Sequence, residues 1–261
     1  FTTTNATQRS LADCSGHSLG IVNRSIKKLT SDGYLTTTMQ PTDRAIALYK
    51  HSVPQNAIIL AAGFGMRMVP INTETPKGLL EIHGEALIER IIRQLHEANI
   101  HNIYIVVGFM KEQYEYLIDE YDVTLIVNAD YASKNNLHSL NLASEYLKNS
   151  YIIPCDIWCK DNPFHTHELY SWYMVSDTQT NESSVNRKME LTAISKTAIG
   201  NAMIGISYLS ENDSSYIQQR LSSLDNDARY DGCFWEEALY NHNRMVIPAR
   251  IIPGSRTITR T

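Results

Sequence analysis

Between residues 56 and 156 short apolar runs alternate with amphipathic stretches. "AIIL" (57–60), "NIYIVVG" (102–108), "VTLIVN" (123–128) and "YIIPCD" (151–156) are too short for buried helices and lack polar alternation, so they predict strands covered on both faces. The stretches between them repeat at helical spacing. "ALIERIIRQLHEANI" puts Leu87, Ile88, Ile91, Ile92, Leu95 and Ala98 on one face, "KEQYEYLIDEY" (111–121) predicts a short polar helix, and "LHSLNLASEYL" (137–147) one capped from Asn135-Asn136. Strands separated by single helices predict an α/β, mostly parallel, Rossmann-like sheet, in which ligands sit at the carboxyl ends of the strands. The residues to inspect are therefore 61–77, Gly108 and Asp156.

The pattern before residue 54 differs. Thr7 is placed to cap a helix carrying Leu11 and Ala12, and Ser15-Gly16 to break it. Ser18 is placed to cap a second helix, with Ile21, Val22, Ile26 and Leu29 on its apolar side and Asp32-Gly33 at its end. "YLTTT" (34–38) is rich in β-formers and predicts a hairpin wing. The order resembles a winged helix-turn-helix over residues 1–53, followed by an enzyme-like domain over 54–261. The second helix would then offer Ser18, Asn23, Arg24, Lys27 and Lys28 to DNA, with residues 7–38 as the contact region. A docking or dimerisation module would read the same way.

Charge sharpens this division. Residues 1–55 carry six Lys or Arg against three acids, a net of +3; the whole-chain −5 then leaves −8 for the rest. Composition is that of an ordinary globular protein, 43% hydrophobic and 20% charged. No apolar run is long enough to span a bilayer, and "FTTTNATQRS" has no export-signal pattern. Cys14, Cys155, Cys159 and Cys233 form no CxxC pair, and no histidine stands at zinc-site spacing from them. Free thiols in a cytoplasmic protein are expected.

The chemistry concentrates in "AIILAAGFGMRMVPINTETPKGLLEI" (57–82). Ala61, Ala62, Gly63 and Gly65 leave almost no side chain behind the first strand, so backbone N–H groups can close on a phosphate or a base. Arg67 can fork onto phosphate oxygens, and Lys77, restrained by Pro76, can bring a point charge to the same place. The string lacks the G-x-x-x-x-G-K-[ST] of the ATPase loop, and Gly63-Phe-Gly65 is not followed by the third glycine of the dinucleotide fingerprint.

"LAAGFGMR" followed by "PINTETPKGLL" resembles the L-A-A-G-x-G-x-R and downstream P-K signature of the nucleoside-triphosphate nucleotidyltransferases. "VVGFMKEQ" and "NADYASKNNLHSLNLA" are more similar to the branch of bacterial CTP:phosphocholine cytidylyltransferases. The likeness covers about 56–150 and fades after Asp156. It implies a glycosyltransferase-A-like sheet and a Mg²⁺-dependent transfer of CMP from CTP to phosphocholine or a similar phospho-alcohol, with release of pyrophosphate. It further implies that Leu60, Ala61, Ala62, Gly63, Gly65, Gly108, Asn136 and Ser139 bind nucleotide and that Arg67 and Lys77 act on its phosphates. Asp156 would be the principal metal ligand, and "CFWEEAL" nominates Glu236 as the second. The tail "RTITRT", where relatives carry an acid, has none. Position 72 is Asn where many relatives have Thr.

A quaternary ammonium is held by aromatic faces. Trp158 and Trp235, beside the two nominated carboxylates, are the expected acceptor-binding residues, with Trp172, Tyr173 and Tyr208 as further candidates. His138 reads as a structural histidine. Two other functions compete. One is a sugar-1-phosphate nucleotidyltransferase; the other is a transcriptional regulator whose nucleotidyltransferase fold senses a nucleotide or choline metabolite.

Overall fold

The structure is a computed structural model. It describes residues 7–15, 17–64, 74–193 and 198–254, and the backbone of 257–258. The chain divides into two compact units, Phe1–Val53 and Pro54–Thr261.

The first unit holds helices α1 (Gln8–Ser15), α2 (Leu19–Ser31) and α3 (Asp43–His51). Ser18 caps α2 by accepting from the Ile21 N–H, and Thr42 caps α3 by accepting from Ala45. Between α2 and α3 the expected wing is a single isolated antiparallel bridge, Leu35 with Pro41, closed through Met39 at φ 61°. Among the described residues only Ala12, Val22 and Ala45 are buried apolar groups here. Ile21 and Leu29, expected on the covered face of α2, are 42% and 41% exposed, whereas Val22 is buried and Ile26 half-buried.

The second unit contains, in chain order, β1 (Asn56–Ala61), β2 (Glu81–Ile82), β3 (Glu85–Ala86), α4 (Leu87–Glu97), β4 (Asn102–Val107), α5 (Tyr116–Tyr121), β5 (Thr124–Val127), α6 (Asn136–Leu142), β6 (Ser150–Pro154), β7 (Trp158–Cys159), β8 (Trp172–Thr180), β9 (Ser183–Val185), β10 (Glu190–Ala193), β11 (Gly200–Leu209), α7 (Glu211–Asp225), β12 (Tyr240–Asn241), β13 (Arg244–Ile252) and β14 (Thr257–Ile258). The sheet runs β12-β13-β10-β9-β11-β6-β1-β4-β5, with β8 paired to β11 and β13. The half β6-β1-β4-β5 is parallel throughout, as the apolar runs predict. The other half is antiparallel except for β8 with β13. β7 and β14 form a separate antiparallel pair.

Strand β1 shows why its run is apolar throughout. Ala57, Ile59 and Ala61 enter one core with Ile88, Ile92 and Leu95 of α4; Ile58, Leu60 and Ala62 enter another with Leu137 and Leu140 of α6 and Ile217 and Leu221 of α7. Both faces are covered, so no polar alternation survives. Two predicted helices are shorter than their sequence pattern. A 3-10 turn, Lys111–Tyr114, entered through Met110 at φ 52°, precedes α5. Likewise α6 ends at Leu142, and a separate 3-10 turn covers Ser144–Tyr146.

Candidate nucleotidyl-transfer site

The carboxyl end of β1 is pinned on both sides. The Cys155 N–H donates to the Leu60 carbonyl at 3.2 Å, and the Phe109 N–H to the Ala62 carbonyl at 3.1 Å. Leu60, Ala61 and Ala62 are buried, so they can meet a ligand only through their backbone. Gly63 is exposed, and a Cβ there would meet nothing within 4 Å. Gly65 and Arg67 lie outside the described residues.

Ten residues past Arg67 the chain returns to the strand ends. Pro76, at φ −66°, opens the 3-10 turn Lys77–Leu79. Lys77 Nζ lies 3.2 Å from Asp156 Oδ2, with both side chains less than a fifth exposed. Gly78 permits this approach: a Cβ there would stand 3.0 Å from the Tyr114 hydroxyl and 3.2 Å from Cys155 Cβ. The cation and carboxylate, 79 positions apart in the chain, thus meet at the end of β6 beside the end of β1.

Gly108 ends β4, and its lack of a side chain has a visible reason. A Cβ would fall 2.6 Å from Tyr131 Cβ and 2.9 Å from the Ala62 carbonyl oxygen. The Phe109 ring meets Phe64 edge-to-face, centroids 4.4 Å apart, and lies 6.4 Å from Tyr131. These aromatics escaped the sequence reading; their signal is a ring just beyond consecutive strand ends.

Other expectations are corrected. Ser139 is 3% exposed, and its hydroxyl accepts from the buried Asn128 amide at 3.0 Å. It faces inward from the middle of α6 and has no face for a nucleotide. Asn136 stays half-buried, and its Oδ1 accepts from the Trp235 N–H at 2.8 Å. Trp235 is 1% exposed and lies 6.1 Å from the Tyr173 ring, within the core built on α6 and α7. Its indole fills a core and offers no open face to an acceptor. Trp172, Tyr173 and Tyr208 are fully buried as well. Trp158 is half-buried, with the Arg90 guanidinium 4.6 Å from its ring centroid. That cation is held by the Cys159 carbonyl and by Glu85. His138 is structural, as expected: Nδ1 meets the Asp225 carboxylate at 2.9 Å.

A magnesium ion carried in on nucleotide phosphates asks the protein for one or two carboxylates. Asp156 fits by type and by place. Glu236 is 7% exposed, and its Oε1 accepts from the Tyr173 hydroxyl at 2.8 Å. Among the described residues no three His, Cys, Asp or Glu gather as a metal site.

The profile of the MobA-like NTP transferase domain matches residues 57–173. The 2-aminoethylphosphonate cytidylyltransferase of Lancefieldella rimae is 31% identical over 196 residues, covering 72% of this chain and 80% of that protein. The chain belongs to the MobA-like NTP transferase family. The choline-phosphate cytidylyltransferase of Haemophilus influenzae is 45% identical over 118 residues, 45% of this chain. The chain spans about half the length of that protein and of its Streptococcus pneumoniae counterpart, 51% in each alignment. In fold, this member of the family is similar to the solved CTP:phosphocholine cytidylyltransferase of Streptococcus pneumoniae, with a TM-score of 0.73 at 28% identity over 80% of this chain and 94% of that one. No helix among the described residues is long and apolar enough to cross a membrane.

Proposed function

We propose that the chain transfers CMP from CTP to phosphocholine or a closely similar acceptor. The observation that carries this reading is the Lys77–Asp156 pair at the joined ends of β1 and β6, behind the small-residue loop. In the transfer, a phosphate oxygen of the acceptor attacks the α-phosphorus in line. The bond from that phosphorus to the oxygen bridging to the β-phosphate breaks, and pyrophosphate leaves with the electron pair. The backbone of 61–63 orients the nucleotide. Lys77 exchanges Asp156 for phosphate oxygens when nucleotide enters, and Arg67 adds a forked contact to the same oxygens. Asp156, released from Lys77, is the carboxylate that would hold Mg²⁺, whose chemistry when bound is neutralisation of the charge building on the phosphates. No nucleophilic side chain is required.

A second acceptor is favoured by one observation: the aminoethylphosphonate relative aligns over far more of this chain than the choline-phosphate relatives do. Both acceptors join a cationic head to an oxyanion. The deciding experiment measures pyrophosphate release from four ribonucleoside triphosphates with phosphocholine, 2-aminoethylphosphonate and glucose-1-phosphate. Turnover with CTP and phosphocholine is expected. Preference for glucose-1-phosphate would move the chain to the sugar branch. Tight nucleotide binding without turnover would favour the sensing regulator.

For residues 1–53 the reading is a winged-helix-like unit that contacts DNA through α2. Its support is the exposure of Arg24, Lys27 and Lys28 along that helix, although Lys28 already pairs with Asp32 at 3.0 Å. Duplex DNA titrated against the full chain should bind with an affinity that falls steeply with salt. Salt-insensitive binding, or none, would leave the unit as a docking module.

A further inference from the structure

We propose that Arg90 is a positioning residue for the transfer site: from α4 it grips the backbone of residues 158–160 and so holds the Asp156 carboxylate opposite Lys77. The inference rests on the nucleotidyltransferase reading and adds to it a residue that acts from behind the site, without touching substrate.

Asp156 is fixed from two sides. Upstream, β6 delivers it, and the Cys155 N–H is bonded to the Leu60 carbonyl at the end of β1. Downstream, Ile157 is 1% exposed in the core it shares with Ile88, Ile91 and Leu95 of α4. The residues after it are held by Arg90. Nε and Nη2 of Arg90 donate to the Cys159 carbonyl at 3.0 and 2.8 Å, and Nη2 donates to the Lys160 carbonyl at 3.0 Å. Nη1 donates to Glu85 at 3.1 Å, which sets the direction of the fork. The guanidinium also lies 4.6 Å from the centroid of the Trp158 ring, and the His83 ring meets that indole 5.5 Å away. Gln94, one turn further along α4, gives the Cys159 carbonyl another donor at 3.3 Å.

The same helix holds Lys77. The Leu80 N–H closes the Lys77 turn by donating to the Lys77 carbonyl at 3.2 Å, and the Leu87 N–H, at the start of α4, donates to the Leu80 carbonyl at 3.1 Å. Arg90 follows about one helical turn later. The contacts therefore close a circuit: Lys77, Leu80, Leu87, Arg90, Cys159 and Asp156, whose carboxylate returns to Lys77 at 3.2 Å. Arg90 supplies most of the side-chain link between the two halves, with three bonds against the single bond of Gln94. The Arg90 side chain is 16% exposed, so water has little access to replace those bonds. A planar guanidinium reaches two successive carbonyls and a carboxylate at once; the compact ammonium of lysine does not.

The test compares the full chain with Arg90→Gln, Arg90→Lys and Arg93→Gln. Arg93 is a control on the same helix: it bonds Glu85 and Glu97. Two quantities are measured: equilibrium binding of Mn²⁺, a spectroscopic stand-in for Mg²⁺, to the protein with CTP and no acceptor, and the kcat and KM for CTP at saturating Mg²⁺. In Arg90→Gln, Mn²⁺ binding should weaken and kcat should fall, each about 10- to 100-fold, while KM for CTP stays near that of the parent. Arg90→Lys should restore neither, and Arg93→Gln should keep both. Parent-like Mn²⁺ binding and kcat in Arg90→Gln, whatever its melting temperature, overturn the proposal and leave Arg90 a purely structural residue. Full recovery in Arg90→Lys, or an equal loss in Arg93→Gln, overturns it too, since the fork would then not be the cause. Should Arg90→Gln not fold, Gln94→Leu removes one donor from the same carbonyl: weaker Mn²⁺ binding supports the proposal, and unchanged binding overturns it. If the parent turns over no triphosphate and binds no Mn²⁺ with any, the nucleotidyltransferase reading falls and this inference with it. If the parent is active and Arg90→Gln matches it, only the positioning inference falls.

Discussion

Lys77 and Asp156 are the residues on which the proposed chemistry turns. With both side chains largely shielded, the pair is screened less than a surface ion pair. Removing a charge aimed at a transferring phosphoryl group costs on the order of 10²- to 10³-fold in rate. Lys77→Ala should therefore lower CTP turnover at least about 100-fold while its thermal melt stays near that of the parent. Near-normal turnover would take Lys77 out of the mechanism. Gly78 acts on the same spot by having no side chain. In Gly78→Ala the new methyl meets the Tyr114 hydroxyl and Cys155 Cβ, and overpacking of this kind costs about 1–3 kcal/mol. Denaturant unfolding should report that loss; an unchanged midpoint would mean the turn has room to move.

Helices and strands are joined in this domain through two carboxylates, the half-buried Asp225 and the buried Glu168. Asp225, at the end of α7, accepts from His138 and Asn141 of α6 and from Lys134. Burial alone would raise its pKa, but the bonds from His138, Asn141 and Lys134 outweigh that and lower it. Asp225→Ala strands those donors and should destabilise the domain by about 1–3 kcal/mol; the check is its denaturant midpoint against that of Asp225→Asn, which keeps an acceptor. Glu168, before β8, is gripped through both oxygens by Arg250 of β13 and accepts from Tyr151 and His165. Burial pushes its carboxyl up, but the bonds from His165 and Arg250 and the charge of Arg250 prevail and bring it down from 4.5 to about 2. A folded-state pKa below the unfolded one means the ionised carboxylate stabilises the fold above pH 4.5, and this contribution is lost as pH falls towards about 2. Each pKa unit is about 1.4 kcal/mol, so the linked stability is about 3 kcal/mol. Glu168→Gln should be the less stable protein at neutral pH, and the gap should close across that acid window. A gap that stays constant with pH would refute the linkage.

At the scale of the whole molecule the two units differ most in what they bury. The second has a core on each face of its sheet; the first shows three buried apolar residues among those described. A chain cut to residues 54–261 should keep the CTP turnover of the full chain, measured as pyrophosphate release; loss of turnover at intact fold would assign residues 1–53 a part in the site. The sequence by itself determined the parallel half of the sheet, because strands covered on both faces must be apolar throughout, and a single helix between two of them permits few other arrangements. It also exposed the small-residue loop and Lys77, residue types suited to phosphate that stand out locally, and it singled out Asp156 as the acid that follows the fourth apolar run. Tertiary structure decided the rest. The antiparallel half joins β8, β11 and β13 over long separations that no local pattern encodes. Ser139, Trp235 and Glu236 have the chemistry of ligand contacts, yet packing against β1, α6 and α7 turned them inward. The Lys77–Asp156 pair exists only because parallel strands bring distant loops to one rim, and that proximity is a property of the folded sheet, invisible along the chain.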